Sequence, residues 1–175
     1  MKTSKLAKYV RMALDGGALE ARVIPAKVVV TAEWVRFKCQ YGCSGFGKRL
    51  CCPPRTPTPE ATRRMLSHYR WAVIYAYRRT PDKRKQRGWQ RLLTSIERAA
   101  FLDGCYKAFG MSAGPCRFCA QCNPNGRCKF PELVRPAMEA CGIDVYATCR
   151  NAGLDLHVVT RLDEPAKYVN LVLVD

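Results

Sequence analysis

The sequence predicts an α+β fold, a mixed α/β sandwich in which a central mixed sheet carries flanking helices and two cysteine-rich loops. Segments with helical apolar spacing and segments with strand-like composition both occur, without the strict alternation that marks a parallel sheet. Hydrophobic residues make up 48% of the 175 residues, which is enough for one core. We therefore predict a single domain over residues 1–175.

The N-terminal part predicts one helix followed by extended chain. Lys5 to Leu14 has helical apolar spacing and ends before a Gly-Gly pair. Arg22 to Thr31 is rich in valine and isoleucine and predicts a strand, or two strands broken around Pro25. Trp34 to Lys38 alternates apolar and polar residues and predicts a second, short extended segment.

The middle of the chain carries the strongest periodic signals. Thr58 to about Tyr69 predicts a helix, because a Thr cap precedes a Pro in the first turn. Trp71 to Arg78 is apolar enough for a buried strand, and Gly88 to Leu102 has the clearest helical stripe. Cys105 to Met111 then predicts extended chain.

The C-terminal part predicts one more helix and two strands. Leu133 to Cys141 predicts a short helix, with a glycine as its stop. Leu156 to Thr160 and Val169 to Val174 predict the closing strands. Between the predicted elements lie two Gly- and Cys-rich segments, which we name the first cysteine loop (residues 39–54) and the second cysteine loop (residues 116–131).

The eleven cysteines indicate metal ligands rather than disulfides. The count is odd, and basic residues interrupt any apolar signal-peptide core at the N-terminus. No apolar stretch approaches the roughly 18 to 20 residues that span a bilayer. We therefore expect a soluble protein that stays in the reducing cytoplasm, with no membrane partner.

The formal charge of +16 predicts acidic partners. The run from Arg78 to Arg91 carries seven basic residues against one acidic residue, Asp82. We expect it to bind an acidic redox partner protein, and nucleic acid is the alternative partner. A third interpretation is structural: the run is a solvated surface without a binding function. In the nucleic-acid interpretation, Trp89 stacks on a base; in the plain one, it packs under its helix.

The second cysteine loop predicts an iron–sulfur cluster. Three cysteines at steps of three, followed by a fourth cysteine and a proline, resemble the opening of the bacterial ferredoxin run. The candidate ligands of this [4Fe–4S] cluster are Cys116, Cys119, Cys122 and Cys128. Structural zinc is the alternative, although zinc ligands more often come as two separated pairs. Cys128 alternatively serves the first loop, as in two-cluster ferredoxins.

The first cysteine loop predicts a second metal site, so the chain holds one or two clusters. Its ligands are Cys39, Cys43 and either Cys51 or Cys52, because neighbouring side chains point apart and do not easily bind one site. Three ligands leave one iron open to water or substrate, unless a fourth thiol arrives from Cys105, Cys141 or Cys149. A zinc knuckle or ordinary buried thiols are the alternatives.

Both loops and their surroundings resemble the cysteine-rich family known as "predicted metal-binding protein", of unassigned function, found in anaerobic bacteria and archaea. The matching segments are Lys38–Cys43, Cys52–Pro54, Phe101–Gly104, Tyr106–Phe109, Ala113–Cys116 with its cysteine run, Arg135–Val145 and Thr148. The resemblance implies that Cys39, Cys43 and Cys52 form the first triad, with Cys51 outside it. It also implies that Asp144 and Thr148 lie near the metal region, and it brings no substrate or reaction.

Three functions follow from these observations. The first is electron transfer or redox chemistry by a [4Fe–4S] protein. The second is a redox or sulfur-handling enzyme with an open iron at Cys39, Cys43 and Cys52. Its catalytic residues are unknown, and the substrate contacts to consider first are Lys107, Asp144, Thr148 and Arg150. The third is a zinc-stabilised basic module that binds nucleic acid.

Overall fold

A four-stranded antiparallel sheet organises the chain in a computed structural model that describes residues 3–161 and 163–175. The helices are α1 (Thr3–Asp15), α2 (Glu33–Gly42), α3 (Pro59–Leu66), α4 (Lys83–Leu102) and α5 (Val145–Ala152). The strands are β1 (Glu20–Pro25), β2 (Trp71–Arg78), β3 (Phe109–Met111) and β4 (Lys167–Val174). Two 3-10 turns span Ala26–Val28 and Glu139–Cys141. In the described part of the chain, no helix is long and apolar enough to cross a membrane.

The strand order is β1-β2-β4-β3, and each of the three pairings is antiparallel. The α+β class is thereby confirmed. Within that class the sheet is antiparallel where a mixed sheet was expected. The reason lies in the topology: β2 and β3 run in the same direction and are joined through α4, but β4 lies between them and pairs antiparallel with both.

The central strands are buried on both faces, so helices cover both faces of the sheet. On one face, Val73, Tyr75 and Tyr77 of β2 pack against α1 and α4, with Leu6 and Ile96 among their neighbours. Alternate residues of β2 point to the other face, as the two-residue period of a strand requires. There they meet the segment around the second 3-10 turn and the end of α5, in a core that includes Ala72, Ile74, Met138, Ile143 and Leu154.

Polar contacts hold the chain on either side of the second cysteine loop. The buried side chain of Asn170 on β4 accepts a hydrogen bond from the Ala113 N–H at 2.9 Å and donates to the Tyr75 hydroxyl at 3.0 Å. Past the loop, the Arg135 guanidinium pairs with the carboxylate of Glu97 on α4. The loop therefore leaves from a fixed point on the sheet and returns to a fixed point on α4.

The segment Trp34–Lys38 is helical, so its prediction as extended chain was wrong. It belongs to α2, in which Val35 is the one buried residue. The alternation of apolar residues did not report burial, because Trp34 and Phe37 are both exposed. As a consequence, Cys39 lies on the last turn of a helix rather than in a loop.

Two further predicted elements do not form, and one helix was not predicted. Leu133–Cys141 is not a helix: only the turn at Glu139–Cys141 forms, because the chain between pairs with Ser112. Leu156–Thr160 is not a strand. The sequence pattern did not predict α5, which begins where the Asp144 side chain accepts the Ala147 N–H at 2.9 Å.

Helix α4 begins five residues earlier than predicted. Asp82 caps it, accepting the Arg84 N–H at 2.7 Å, and Gly88 lies inside the helix rather than at its start. Most of the basic run is therefore helical. This places its charges on a rigid element that reaches the second cysteine loop.

Candidate metal centre

The four cysteines of the second loop surround one cavity, which we name the second-loop cavity. Its volume is about 460 Å³, and Cys116, Cys119, Cys122 and Cys128 all line it. One water molecule occupies about 30 Å³ in the liquid, so this space exceeds what a single ion requires. All four cysteines are half-buried. The donors and the space fit a polynuclear centre.

Cys51 of the first loop also lines the second-loop cavity. The backbone N–H of Cys116 donates to its Sγ at 3.2 Å, and the Cys51 and Cys52 sulfurs lie 4.0 Å apart. Hydrogen bonding from Cys52, opposed by burial and supported by the Cys116 N–H, lowers the pKa of Cys51 to about 7. No local sequence pattern indicates this contact, because 65 positions separate the two residues.

Positive charge and backbone donors surround the second-loop cavity. Arg49, Arg127 and Lys129 line it, and the Phe130 N–H donates to the Cys128 sulfur at 3.4 Å. Burial, with the charges of nearby thiolates, raises the pKa of Cys116 to about 11. A metal centre must displace that proton, and cations beside the cavity favour the thiolate form.

Helix α4 supports the second cysteine loop directly. The Arg87 side chain donates to the Arg117 carbonyl at 2.9 Å, and the Arg91 guanidinium lies 5.3 Å from the centre of the Phe118 ring. Trp89 packs on the Tyr77 ring with centroids 3.9 Å apart, which agrees with the plain structural interpretation of this tryptophan. Part of the basic run therefore serves the loop.

The three cysteines predicted to form the first triad come from a helix end and a turn. Cys39 lies on the last turn of α2, Cys43 follows as its C-cap, and Cys52 lies in a turn of the first loop. Burial raises the pKa of Cys39, and the charges of Glu139 and Cys43 raise it further. The hydrogen bond with Cys51 and burial raise the pKa of Cys52, to which the charge of Cys43 again contributes. Cys43 thus interacts with both partners.

A second cavity, the first-loop cavity, adjoins this triad. It measures about 620 Å³, and Cys39 and Cys43 line it together with Asp144 and Arg150. Cys52 lines neither cavity. Burial raises the pKa of the Glu139 carboxyl, which also faces this cavity, and its Oε2 has no hydrogen-bond partner among the described residues.

Two of the four expected substrate contacts lie at this cavity and two do not. Asp144 and Arg150 line it, but Lys107 donates to the His68 carbonyl and pairs with Asp175 elsewhere. Thr148 is fully buried and accepts the Val30 N–H at 3.0 Å, which is a structural role. Sequence reasoning assigned no role to Glu139. The one sequence feature that pointed to this residue was its position in residues 135–145, a segment that carries the family resemblance.

None of the eleven cysteines forms a disulfide. Cys105, Cys141 and Cys149 are buried, and burial raises the pKa of both Cys141 and Cys149 to about 12. Within residues 3–161 and 163–175, no three His, Cys, Asp or Glu side chains lie close enough together to hold a single metal ion.

The sequence matches the family described as predicted metal-binding protein (DUF2284) over residues 22–174. The chain belongs to this family. The match includes both cysteine loops and both cavities, and it confirms the resemblance carried by the cysteine motifs. No curated protein and no solved structure matches the chain. The chain is therefore a cysteine-rich member of a family described as predicted metal-binding proteins.

In this family member, one arginine joins the two cysteine loops. The Arg55 side chain donates to the Gly47 carbonyl at 3.0 Å, to the Pro124 carbonyl at 2.6 Å and to the Asn125 side chain at 2.9 Å. A planar guanidinium satisfies three acceptors from two segments without moving either one. The two loops are therefore one structural unit.

Replacing Arg55 with alanine should loosen both loops together. We expect amides of residues 44–50 and 123–126 to exchange hydrogen about tenfold faster, since losing about 1.4 kcal/mol of local stability corresponds to that factor. Hydrogen exchange followed by mass spectrometry measures this. Arg98→Ala is the control, because the Arg98 side chain makes no hydrogen bond or ion pair in the described part of the chain. If exchange became faster in only one loop, the interpretation that Arg55 joins the two loops into one structural unit would be wrong.

Proposed function

We propose that the chain is an iron–sulfur protein that transfers single electrons. Cys116, Cys119, Cys122 and Cys128 would hold one [4Fe–4S] cluster, and the triad in the first loop would hold a second. The observation that supports this most is that the four cysteines of the ferredoxin-like run line one cavity too large for a single ion.

The residues around the cavity suit a centre that gains and loses negative charge. Arg49, Arg127 and Lys129 line it, and backbone N–H groups point at the sulfurs of Cys51 and Cys128. Hydrogen bonds to sulfur and nearby cations raise the reduction potential of a cluster, and partial burial limits solvent access. When bound, the cluster would supply a one-electron redox couple.

An acidic redox partner is the proposed electron donor or acceptor. Lys83, Arg84 and Lys85 are exposed on the first turn of α4, and the same helix contacts the second loop through Arg87 and Arg91. A partner docked on this turn would lie near the proposed centre. Opposite charge would steer its encounter and orient the two proteins.

A second candidate function, a redox or sulfur-handling enzyme, is favoured by the first-loop cavity. A buried carboxylate oxygen of Glu139 without a partner is costly unless a ligand or metal-bound group completes it. Arg150 lines the same cavity and makes no ion pair in the described residues, and Lys38 stands 5.3 Å from the Trp34 ring centre. The cation Arg150 suits a small anion presented to an open iron, and the Glu139 oxygen suits a hydrogen-bond donor on the same ligand.

The metal content of the purified chain distinguishes the proposed iron–sulfur protein from a zinc protein. Chain purified without oxygen should contain about eight iron atoms, with equal sulfide, or about four if one loop alone is loaded. The double variant Cys119→Ser, Cys122→Ser should lower the iron content by about four, because the two thiolates that remain are too few to hold a cube. Iron, sulfide and zinc analysis with EPR of the reduced protein measures this.

Cys149→Ala is the matched control, since Cys149 is buried in the core and lines neither cavity. It should leave the iron content unchanged. Zinc without iron would overturn the proposal. Zinc together with RNA binding that weakens steeply with salt would favour a basic nucleic-acid-binding module instead.

The docking proposal predicts a salt-dependent reaction with an acidic electron carrier. Reduction of the loaded chain by a plant-type ferredoxin should slow about tenfold between about 50 and 500 mM salt, because screening removes the steering. Changing Lys83, Arg84 and Lys85 to Gln should produce a similar loss at low salt. Stopped-flow absorbance measures the rate.

The control removes the same charge from scattered exposed positions: Arg11, Lys27 and Arg70, each to Gln. Their side chains make no hydrogen bond or ion pair in the described residues. If both triple variants slowed the reduction rate equally, the rate would depend on the net charge of the chain and not on a docking surface at the start of α4.

The second candidate predicts that cyanide binds to the loaded protein. An iron with three thiolate ligands should accept cyanide and change its EPR signal, and Arg150→Gln should weaken this binding about fivefold by removing a nearby cation. Arg98→Gln should have no effect. If the EPR spectrum stayed unchanged at saturating cyanide, an open iron would be excluded.

A further inference from the structure

The first-loop cavity has space for a ligand much larger than cyanide. Its volume of about 620 Å³ lies within the range of about 300 to 1,000 Å³ that is typical of pockets for small organic molecules. Apolar side chains from three separate parts of the chain line it, among them Ile143, Leu156 and Val169. Such walls suit the apolar body of an organic ligand.

Two helices each bring one aromatic ring and one cation to this cavity. Trp34 and Lys38 lie four residues apart on α2, and Tyr146 and Arg150 lie four residues apart on α5. Residues at this spacing share one face of a helix. All four side chains line the cavity. The same pair of side-chain types therefore reaches one space from two separate elements.

These four side chains are accessible to a ligand. Trp34 is 46% exposed and Tyr146 is 37% exposed. Lys38 and Arg150 are exposed, and among the described residues their side chains make no hydrogen bond or ion pair, although the Lys38 Nζ lies 5.3 Å from the Trp34 ring centre. Lys167, a third cation at the cavity, is already paired with a carboxylate at 2.7 Å. Positive charge without a carboxylate partner thus lies beside exposed rings.

Two carboxyl groups add hydrogen-bond acceptors to the same cavity. Asp144 and Glu139 both line it, and the Glu139 Oε2 atom has no hydrogen-bond partner in the part of the chain that the structure describes. Carboxylate oxygens accept hydrogen bonds from N–H groups and repel anions. A ligand that fits all of these groups needs an anionic end for the cations and N–H donors for the acceptors.

We propose that the first-loop cavity binds a mononucleotide. The base is a flat ring that carries N–H donors, so it suits the two aromatic rings and the two carboxyl groups. The phosphate suits Lys38 and Arg150, which are the cations without a carboxylate partner. The inference goes beyond the proposed function, because none of these contacts uses a metal.

The test is calorimetric titration of the chain, purified without oxygen, with the four common ribonucleoside monophosphates. Salt at about 150 mM screens the general positive charge of the chain. We expect the best nucleotide to bind at least about tenfold more tightly than its nucleoside, which lacks the phosphate, or ribose 5-phosphate, which lacks the base.

Single substitutions assign the binding to this cavity. Lys38→Gln and Arg150→Gln should each weaken nucleotide binding about fivefold and leave nucleoside binding unchanged. Trp34→Leu should weaken both about tenfold, since it removes a stacking surface. These three side chains are exposed, so we expect the variants to fold, and circular dichroism checks this. Arg98→Gln, which lies outside the cavity, should bind as wild type does.

Three results would overturn the inference. The first is that none of the four nucleotides binds at millimolar concentration. The second is that ribose 5-phosphate binds as tightly as the best nucleotide, which would indicate general attraction of phosphate. The third is that the cavity variants bind as wild type does. The iron analysis is independent of all three: a chain that holds iron but no nucleotide contradicts this inference alone, and a chain that binds a nucleotide but no iron contradicts the proposed function alone.

Discussion

Burial of the two central strands on both faces is the constraint on which the rest of the structure depends. β2 and β4 carry apolar residues toward both sides, so neither face of the sheet can remain in water. Helices α1 and α4 cover one side, and the segment around residues 137–154 covers the other. These elements pack their apolar side chains against the sheet, and the cysteine loops bury few apolar residues of their own.

The second cysteine loop shows this shortage most clearly. None of residues 116–131 is fully buried, and the loop is held by contacts to α4, by Arg55 and by its two fixed ends. A segment without its own core needs another source of order, and metal coordination is one that converts binding free energy into folding free energy. Four thiols around one cavity are what such an arrangement requires.

Sequence reasoning succeeded where the determining pattern is local. β2 and most of α4 have long periodic signals, and Cys116 to Cys122 are recognisable from their spacing alone. It failed for α2, where an alternation of exposed aromatic residues imitated a strand, and for α5, which is short and buries only Thr148 and Cys149. The contact of Cys51 with Cys116 and the burial of the Glu139 Oε2 atom arise from tertiary structure, so no neighbouring residues indicated them.

The arginine that spans both cysteine loops has a consequence for how the molecule matures. In the proposed two-cluster protein, each loop would lose conformational freedom when it binds its cluster, and that loss would oppose binding. Arg55 holds the two loops together, so ordering one loop would already remove part of the conformational freedom of the other. Binding at the two sites would therefore be linked through chain entropy, and a molecule with one cluster would be disfavoured relative to molecules with none or two.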